Sequence, residues 1–341
     1  MSKTSWSTRA AAVALLILAF VGSAKAGNQE YYDPDQREEV RLLIDELVAE
    51  QGFQREELNR LFRQARKRQD IQELMSRPAE RVLAWHEYRQ LFITPQRIEA
   101  GREFMQQHEA TLKRAQAEYG VAPEIITAII GIETFYGRNK GRHRVLDALA
   151  TLSFDYPAGT PRDRSAFFRS QLVEFLNLTR RQGLNPSLPI GSYAGAMGYP
   201  QFIPTSYRDF AVDFSGDGLI DIWNNPVDAI GSVANYFKAH GWQAQEPVLY
   251  EATLQGEARE LEDLRRNRFT RIPYAQAKAA GFRADTSEPV AASSLVIPMA
   301  FALEDKERYL LGMPNFYVIT RYNHSRMYAL AVYELATALS N

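Results

Sequence analysis

The chain has 341 residues, of which 45% are hydrophobic and 24% are charged; it contains no cysteine, and its formal net charge is −1. Without cysteine there is no disulfide, no thiolate chemistry and no lipid attachment through an N-terminal cysteine. The near-neutral charge provides no strong basic field, so nucleic acid is not an expected partner. The length allows one large domain or two to three small ones.

The first 26 residues are typical of a secretory signal peptide. Lys3 and Arg9 precede the apolar run Ala10–Val21, and a small-residue cleavage site ends at Ala26. The apolar run is too short to span a membrane comfortably. We therefore expect a mature protein of residues 27–341 that is soluble and periplasmic and has no membrane anchor. Cleavage changes the formal charge to −4, because the leader carries three basic residues and no acid.

Helical patterns dominate the chain up to about residue 245. Capping residues, prolines at first turns and terminating glycines set the bounds of these predicted helices. The predicted helices cover residues 33–52, 54–66, 70–76, 94–120, 123–133, 167–182 and 226–240.

The composition changes after Glu246. Four β-rich runs predict strands over residues 248–254, 268–272, 294–297 and 316–320, and a final helix is predicted over residues 325–339. The sequence therefore predicts a mainly α (α+β) protein in which a small β-rich insertion interrupts a helical domain late in the chain.

Glu133 ends an apolar helical run, and helical spacing places it on the same face as Ile126, Ile129 and Ile130. Desolvation disfavours the charged form of a carboxyl group on such a face, so we expect a raised pKa that suits a general acid. The alternative interpretation is a glutamate at the end of a helix that reaches past the core into solvent.

A candidate cation loop begins at Asp213. Oxygen side chains follow at positions one, three, five and nine, with Gly218 at position six, as at the start of an EF-hand loop. Position twelve is Asn224 rather than glutamate, and the next acid is Asp228. The alternative is a glycine-rich turn that local hydrogen bonds stabilise, with Asp228 capping the following helix.

The segment 191–204 combines four glycines with two prolines and several aromatic residues. Small residues allow a ligand to approach the backbone closely, and aromatic faces suit a sugar ring. Taken alone, the pattern is better explained by a tightly packed connecting loop.

Together these segments resemble the lytic murein transglycosylase B family, and the resemblance covers essentially the whole mature chain. The motifs that carry it are 131–137 (GIETFYG), 195–202 (GAMGYPQF), 213–218 (DFSGDG), 228–236 (DAIGSVANY) and 315–323 (NFYVITRYN). The resemblance implies a lysozyme-like helical core over residues 111–245, with an EF-hand-like loop at 213–228. It also implies an accessory helical domain over 27–110 with part of 155–190, a small β domain over 246–310 and a return to the core over 311–341.

The resemblance also implies the activity, which is cleavage of the β-1,4 bond between N-acetylmuramic acid and N-acetylglucosamine in peptidoglycan, with formation of 1,6-anhydro ends. It makes Glu133 the catalytic acid and base. It assigns glycan contacts to Ser192, Gln201, Tyr236, Asn323 and Tyr328. It assigns a structural Ca²⁺ to Asp213, Ser215, Asp217, Leu219 and Asp228, and no cofactor is required for the chemistry.

A single glutamate suffices for this reaction if the substrate's own N-acetyl group stabilises the sugar cation and its C6 hydroxyl closes the ring. A second acid is therefore not needed, and Asp147 and Asp155 are equally well explained as cap or turn residues. Two other functions remain open, a lysozyme-like hydrolase that gives reducing ends and a non-catalytic peptidoglycan-binding scaffold. The five histidines are dispersed, so a zinc enzyme is not expected. Glycan strands are the expected partner, with other cell-wall enzymes as further candidates.

Overall fold

The computed structural model describes residues 30–76, 83–255 and 269–341. The predicted signal peptide lies outside the described residues. The chain divides into two compact units. The glutamate unit consists of the described part of Ala19–Val82 together with Glu133–Asn235, and the sheet unit contains Leu83–Ile132 and Tyr236–Asn341. The finer division into domains that the resemblance implies stays a prediction.

Helices account for most of the described chain, and the strands are short. In chain order the helices are α1 (Glu38–Gln51), α2 (Arg55–Phe62), α3 (Gln69–Ser76), α4 (Trp85–Phe92), α5 (Pro95–Gln107), α6 (Glu109–Tyr119), α7 (Pro123–Thr134), α8 (Val145–Phe154), α9 (Ser165–Arg181), α10 (Pro204–Phe210), α11 (Pro226–Ala239), α12 (Tyr274–Ala279), α13 (Pro314–Tyr322) and α14 (Arg326–Ser340). The strands are β1 (His143–Arg144), β2 (Ile190–Gly191), β3 (Leu249–Leu254), β4 (Ile272–Pro273), β5 (Phe282–Ala284), β6 (Leu295–Ala302) and β7 (Glu307–Gly312). The predicted mainly α fold class with a small antiparallel sheet is confirmed.

Helix α8 lies at the centre of the glutamate unit. Every residue from Val145 to Leu152 is buried, and the helix packs against α3 and α9. Strands β1 and β2 pair in antiparallel fashion beside it, with His143 opposite Gly191. This pairing brings the chain after Glu133 alongside the start of the glycine-rich segment.

The sheet unit contains an antiparallel sheet of five strands in the order β4-β6-β7-β3-β5. One face of the sheet encloses a small apolar core of Ala277, Phe282, Val296, Leu311 and Met313. The long C-terminal helix α14 packs against α4 and α5, so the chain returns to helical structure after the sheet.

The capping residues, prolines and glycines at helix ends have the roles that the sequence predicts. Thr94 caps α5 by accepting the Arg97 N–H at 3.2 Å, and Pro95 occupies the first turn. Gly52 ends α1 with φ +67°, in the left-handed region that glycine adopts at low cost.

The predicted strand over residues 316–320 is wrong, because these residues belong to α13. Pro314 starts the helix, and its buried face includes Phe316 and Ile319. Tertiary burial therefore outweighs the β propensity of the run.

Two other predictions need correction. The single helix predicted over residues 94–120 is divided at His108, whose φ of −115° and ψ of 22° end α5 and precede α6. Of the strand predicted over 268–272, only Ile272 is in a strand; residue 268 lies outside the described residues, and Phe269 has φ +113°. Within the described ranges no helix is long and apolar enough to cross a membrane.

Candidate active site

Glu133 lies in the last turn of α7 and is half-buried. The predicted apolar face precedes it, since Ile126, Ile129 and Ile130 are fully buried. The boundary between the two units passes between Ile132 and Glu133. The carboxyl group is therefore carried in the last turn of a helix whose preceding residues are buried.

The backbone after Glu133 is strained. Phe135 and Tyr136 have φ values of +50° and +58°, and Gly137 follows with φ +85°. Non-glycine residues rarely adopt this left-handed region, and bulky residues there are outliers that surrounding structure must hold in place. Such strain is typical of functional sites, so this turn is a candidate for positioning Glu133.

Thr134 supplies one of the constraints on this turn. Its hydroxyl accepts the Gly137 N–H at 3.0 Å and donates to the Tyr199 carbonyl oxygen at 3.1 Å. Its carbonyl accepts the Asn139 N–H at 2.8 Å. One buried side chain thus links the residue after Glu133 to the glycine-rich segment.

Gly137 fits only because it has no side chain. A Cβ at this position would lie 2.1 Å from Cε1 of Tyr199, well inside van der Waals contact. The turn and the Tyr199 ring therefore pack directly against each other. This close approach explains the glycine on steric grounds in addition to its positive φ.

The glycine-rich segment contributes two predicted site residues to the glutamate unit. The buried Ser192 hydroxyl accepts the N–H groups of Ala194 at 3.2 Å and Ala196 at 3.0 Å, and it keeps its own hydrogen to donate. Gln201 is half-buried with φ +51°, and its side-chain amide donates to the Gly198 carbonyl at 2.9 Å. Both side chains are held by their own loop.

The other predicted glycan contacts lie in the sheet unit. The Tyr236 hydroxyl donates to the Arg321 carbonyl at 2.6 Å, and its ring packs 4.7 Å from that of Tyr322. Burial raises the pKa of Tyr236, so the phenol stays protonated. Asn323 follows Tyr322 in the chain and has a buried side-chain oxygen with no hydrogen-bond partner among the described residues. Tyr328 is buried in the first turn of α14.

The predicted cation loop is folded around the Asp213 carboxylate. This carboxylate accepts the N–H groups of Gly216 at 2.7 Å, Asp217 at 3.2 Å and Gly218 at 2.8 Å, and also the Ser215 hydroxyl at 3.3 Å. These backbone hydrogen bonds, led by that of Gly218, hold the pKa of Asp213 below its ordinary value. Asp213 therefore stays ionised and turned into the loop.

Asp228 reaches the loop, although it lies beyond the usual twelfth position. It is fully buried in the first turn of α11, and its two oxygens accept the N–H of Ser215 at 2.8 Å and that of Asp221 at 2.9 Å. It thus joins two ends of the loop rather than acting only as a helix cap.

The oxygen donors of this loop suit a hard cation such as Ca²⁺. No group of three or more acidic or histidine side chains in the described part of the chain has a metal-holding arrangement. The carboxylates of Asp213, Asp217 and Asp228 therefore do not form such a group by themselves. Coordination would also need the Ser215 hydroxyl and the backbone carbonyl of the largely exposed Leu219.

Asp147 and Asp155 are engaged in structural contacts. The buried Asp147 accepts the Arg66 N–H at 2.9 Å and pairs with the Arg144 guanidinium at 2.7 Å. Asp155 accepts the Tyr32 hydroxyl at 2.9 Å and pairs with Arg37 and Lys67. Each of these acids therefore has charged or hydrogen-bonding partners that explain its presence.

Two residues of this region were missed by the sequence analysis. The Thr134 hydroxyl joins the Glu133 turn to Tyr199, and its position directly after Glu133 was the only feature of the sequence that pointed to this role. The Lys140 ammonium donates to the Trp223 carbonyl at 2.6 Å and lies 4.6 Å from the centroid of the Tyr199 ring. Burial lowers the pKa of this lysine. Only the fold reveals these contacts.

The mainly helical fold with a small antiparallel sheet, and a glutamate at the end of a buried helix, agree with the class of lytic transglycosylases that the motifs predict. The chain belongs to the transglycosylase SLT domain family, whose model matches residues 35–337. It is 43% identical over 311 residues to membrane-bound lytic murein transglycosylase B of Escherichia coli K12, covering 88% of this chain and 82% of that protein. The family resemblance predicted from the motifs is confirmed.

Solved structures agree with this assignment. Soluble lytic transglycosylase SltB1 of Pseudomonas aeruginosa is 46% identical, with a TM-score of 0.81 and coverage of 89% of this chain and 98% of that one. Escherichia coli lytic transglycosylase Slt35, solved in complex with calcium, is 42% identical, with a TM-score of 0.81 and coverage of 92% and 96%. SltB3 of Pseudomonas aeruginosa, solved in complex with NAG-NAM-pentapeptide, is 30% identical, with a TM-score of 0.78 and coverage of 89% and 79%.

Proposed function

We propose that this protein is a peptidoglycan lytic transglycosylase. It cleaves the β-1,4 bond between N-acetylmuramic acid and N-acetylglucosamine and leaves 1,6-anhydro ends, with Glu133 as the single acid and base. Membership of the transglycosylase SLT domain family supports the reaction class. The observation that carries the assignment of Glu133 is the strained turn after it, which Thr134 ties to the glycine-rich segment.

In the first step the protonated Glu133 donates to the glycosidic oxygen, and the bond between C1 of the muramic sugar and that oxygen breaks. The departing N-acetylglucosamine takes the proton. The substrate's own N-acetyl group then stabilises the positive charge at C1, so that no second carboxylate is needed. This arrangement differs from the usual glycosidase pair of acids.

In the second step the ionised Glu133 removes the proton from the C6 hydroxyl of the same sugar. Its oxygen bonds to C1, the 1,6-anhydro ring closes, and Glu133 is protonated again. Water is not consumed. The reaction depends on holding the C6 oxygen near C1, because positioning of this kind can contribute about 7–11 kcal/mol in intramolecular reactions.

The proposed glycan contacts are Ser192 and Gln201 in the glutamate unit, and Tyr236, Asn323 and Tyr328 in the sheet unit. Ser192 and Gln201 are fixed by hydrogen bonds within their loop, which limits the entropy lost on binding a sugar. Asn323 is proposed as a contact because it ends the motif 315–323 that carries the family resemblance. Peptidoglycan strands are the proposed partner, and other cell-wall enzymes are further candidates.

We also propose that the 213–228 loop binds one Ca²⁺, which has a structural role and takes no part in the chemistry. The ionised Asp213, the buried Asp228 and the calcium complex of Slt35 support this proposal. The cation would stabilise a loop whose two ends Asp228 already joins.

The sequence of residues 1–26 supports export to the periplasm, where the glycan substrate is found. We propose that the mature protein is released there as a soluble enzyme, since its sequence contains no cysteine for lipid attachment. Cell fractionation tests this proposal, and detergent-dependent extraction from membranes would contradict it.

Glu133→Gln is the direct test of the proposed acid. The amide keeps the shape of the side chain but cannot donate the proton, so turnover of purified sacculi should fall by at least about a hundredfold. Release of muropeptides is measured by mass spectrometry. Glu124→Gln, the same change in the first turn of the same helix, serves as the control. A folded Glu133→Gln protein that keeps a tenth of the original rate would refute the assignment.

A further inference from the structure

Lys140 has surroundings that are unusual for a lysine. Its half-buried ammonium donates to the Trp223 carbonyl at 2.6 Å and lies over the Tyr199 ring, 4.6 Å from the ring centroid. Among the residues that the structure describes, no carboxylate forms an ion pair with it. Burial therefore lowers the pKa of Lys140, and the charge of Asp221 offsets this effect only in part. The fold thus holds this cation where solvent would stabilise it better.

The main chain fixes the position of Lys140 on both sides. The preceding Asn139 N–H donates to the Thr134 carbonyl at 2.8 Å, which closes the turn after Glu133. On the other side, a Cβ on Gly141 would lie 2.0 Å from the Gly191 carbonyl oxygen, so the two backbones are in direct contact. The Lys140 side chain consequently starts from a backbone position that two separate contacts define.

Tyr199 is the residue through which Lys140 reaches the Glu133 turn, which comprises residues 134–139. The Tyr199 carbonyl accepts the Thr134 hydroxyl at 3.1 Å, and its ring lies too close to Gly137 for any Cβ there. An aromatic ring attracts a cation placed over its face. Because the same ammonium is bonded to the Trp223 carbonyl, it fixes the ring relative to a third segment of the unit.

We propose that Lys140 is a positioning residue for Glu133, whose ammonium keeps the Tyr199 ring against Gly137 and so holds the Glu133 turn in its catalytic conformation. This inference rests on the proposed function, and it adds a residue that acts through Tyr199 rather than on the glycan. The strained φ values of this turn persist only if its surroundings enforce them. A displacement of about 1 Å in a catalytic group can lower a rate about a hundredfold, so a loosened turn should slow turnover.

Lys140→Met tests the proposal, since it keeps an unbranched apolar side chain and removes the charge. We expect kcat on soluble peptidoglycan fragments to fall about tenfold while KM changes less than about twofold, because the side chain bonds none of the proposed glycan contacts. Lys140→Arg should recover most of the loss, since a guanidinium also binds a carbonyl and stacks on an aromatic face.

A double variant shows whether Lys140 acts through the ring. Tyr199→Leu removes the ring and should lower kcat by itself. Adding Lys140→Met should then lower kcat by less than about a further twofold, because the two side chains act as one unit.

Lys238→Met is the matched control in the sheet unit. The Lys238 ammonium also donates to a backbone carbonyl, that of Glu118 at 3.0 Å, and lies 5.4 Å from the centroid of the Tyr119 ring. This variant loses the same kind of contacts away from the Glu133 turn and should keep its kcat.

Hydrogen exchange measures the turn without requiring turnover. The Gly137 amide donates to the Thr134 hydroxyl, so a looser turn should expose it. In Lys140→Met, peptides that cover residues 134–139 should exchange about tenfold faster by mass spectrometry, while those from α8 keep the wild-type rate.

An unchanged kcat in Lys140→Met, multiplicative losses in the double variant, or unchanged exchange over residues 134–139 would each overturn the proposal. Equally faster exchange in α8 would also overturn it, since the effect would then be general destabilisation. The products test the proposed function separately. If the wild type gives reducing ends or no turnover, that function fails, and the exchange of residues 134–139 still decides whether Lys140 holds the turn.

Discussion

Phe135 and Tyr136 hold backbone conformations that cost free energy, on the order of 1–3 kcal/mol each. The Thr134 hydroxyl, which is bonded at both ends, and the Tyr199 ring, which packs on Gly137, offset this cost. At the scale of single residues, the site is thus a helix end whose direction is fixed by its contacts with the glycine-rich segment. We expect these neighbours to orient Glu133.

Gly137→Ala should damage both stability and activity. The left-handed φ alone costs an alanine about 1–2 kcal/mol, and its Cβ would also lie 2.1 Å from the Tyr199 ring. We expect a loss of about 2–4 kcal/mol in unfolding free energy and a reduced kcat. Denaturant unfolding and turnover of sacculi measure the two effects.

Gly52→Ala provides the comparison, because Gly52 has φ +67° but no atom within 4 Å of a Cβ. It should lose only the conformational cost, about 1–2 kcal/mol, and keep its activity. Equal losses of stability in the two variants, with full activity in both, would show that the Gly137–Tyr199 contact has no functional importance.

At the scale of elements, Asp155 joins the N-terminal segment to the end of α8. Burial alone would raise the pKa of Asp155, but hydrogen bonds from Arg37 and Tyr32 and the charge of Arg37 outweigh it and hold the pKa below its ordinary value. A carboxyl group whose folded pKa is lowered stabilises the folded state above its unfolded pKa, near 3.9. That contribution is lost as the pH falls through the folded pKa.

Asp155→Asn should therefore lower the unfolding free energy at pH 7 by about 1–3 kcal/mol. The difference from the wild type should shrink as the pH falls below about 4, because the wild type then loses the same interactions. Denaturant unfolding across this pH range measures it. Asp45→Asn, which breaks an exposed pair with Arg55, should cost less than about 1 kcal/mol. A difference that is independent of pH would contradict the role of the ionised Asp155.

The 213–228 loop is a second element with a testable role. If Ca²⁺ binds the native loop only, a cation concentration of about 100 times Kd should add about 2.7 kcal/mol of stability. Thermal melts with excess Ca²⁺ and with chelator should differ by several degrees in Tm. Asp213→Asn should remove the difference, whereas Asp209→Asn, whose carboxylate pairs with Arg208, should retain it. Identical midpoints and no heat of binding in calorimetry would leave the loop as a turn that is held by hydrogen bonds alone.

At the scale of the whole molecule, the sequence predicted helix termini well where local chemistry determines them. Thr94-Pro95, Pro123 and Gly52 act as expected, since capping and backbone preferences depend on few residues. The helix α13 was predicted as a strand because its β-branched run fits either structure, and burial within the fold determines the outcome. Local pattern cannot supply that information.

The candidate site also combines residues that the sequence predicts with contacts that only the fold reveals. Glu133, Ser192, Gln201 and the cation loop could be named from ordered motifs, and their roles stay predictions. The Thr134–Tyr199 hydrogen bond and the close approach of Gly141 to Gly191 could not be predicted, since each depends on contacts between segments far apart in sequence.

The central claim is that the substrate's own C6 hydroxyl, and not water, attacks C1 after Glu133 has protonated the leaving oxygen. Digestion of purified sacculi in ¹⁸O-labelled water, followed by mass spectrometry of the new muramic ends, tests it most directly. We predict 1,6-anhydro ends that carry no label. Predominantly reducing ends that carry ¹⁸O would show that water is the acceptor, and the protein would then be a hydrolase.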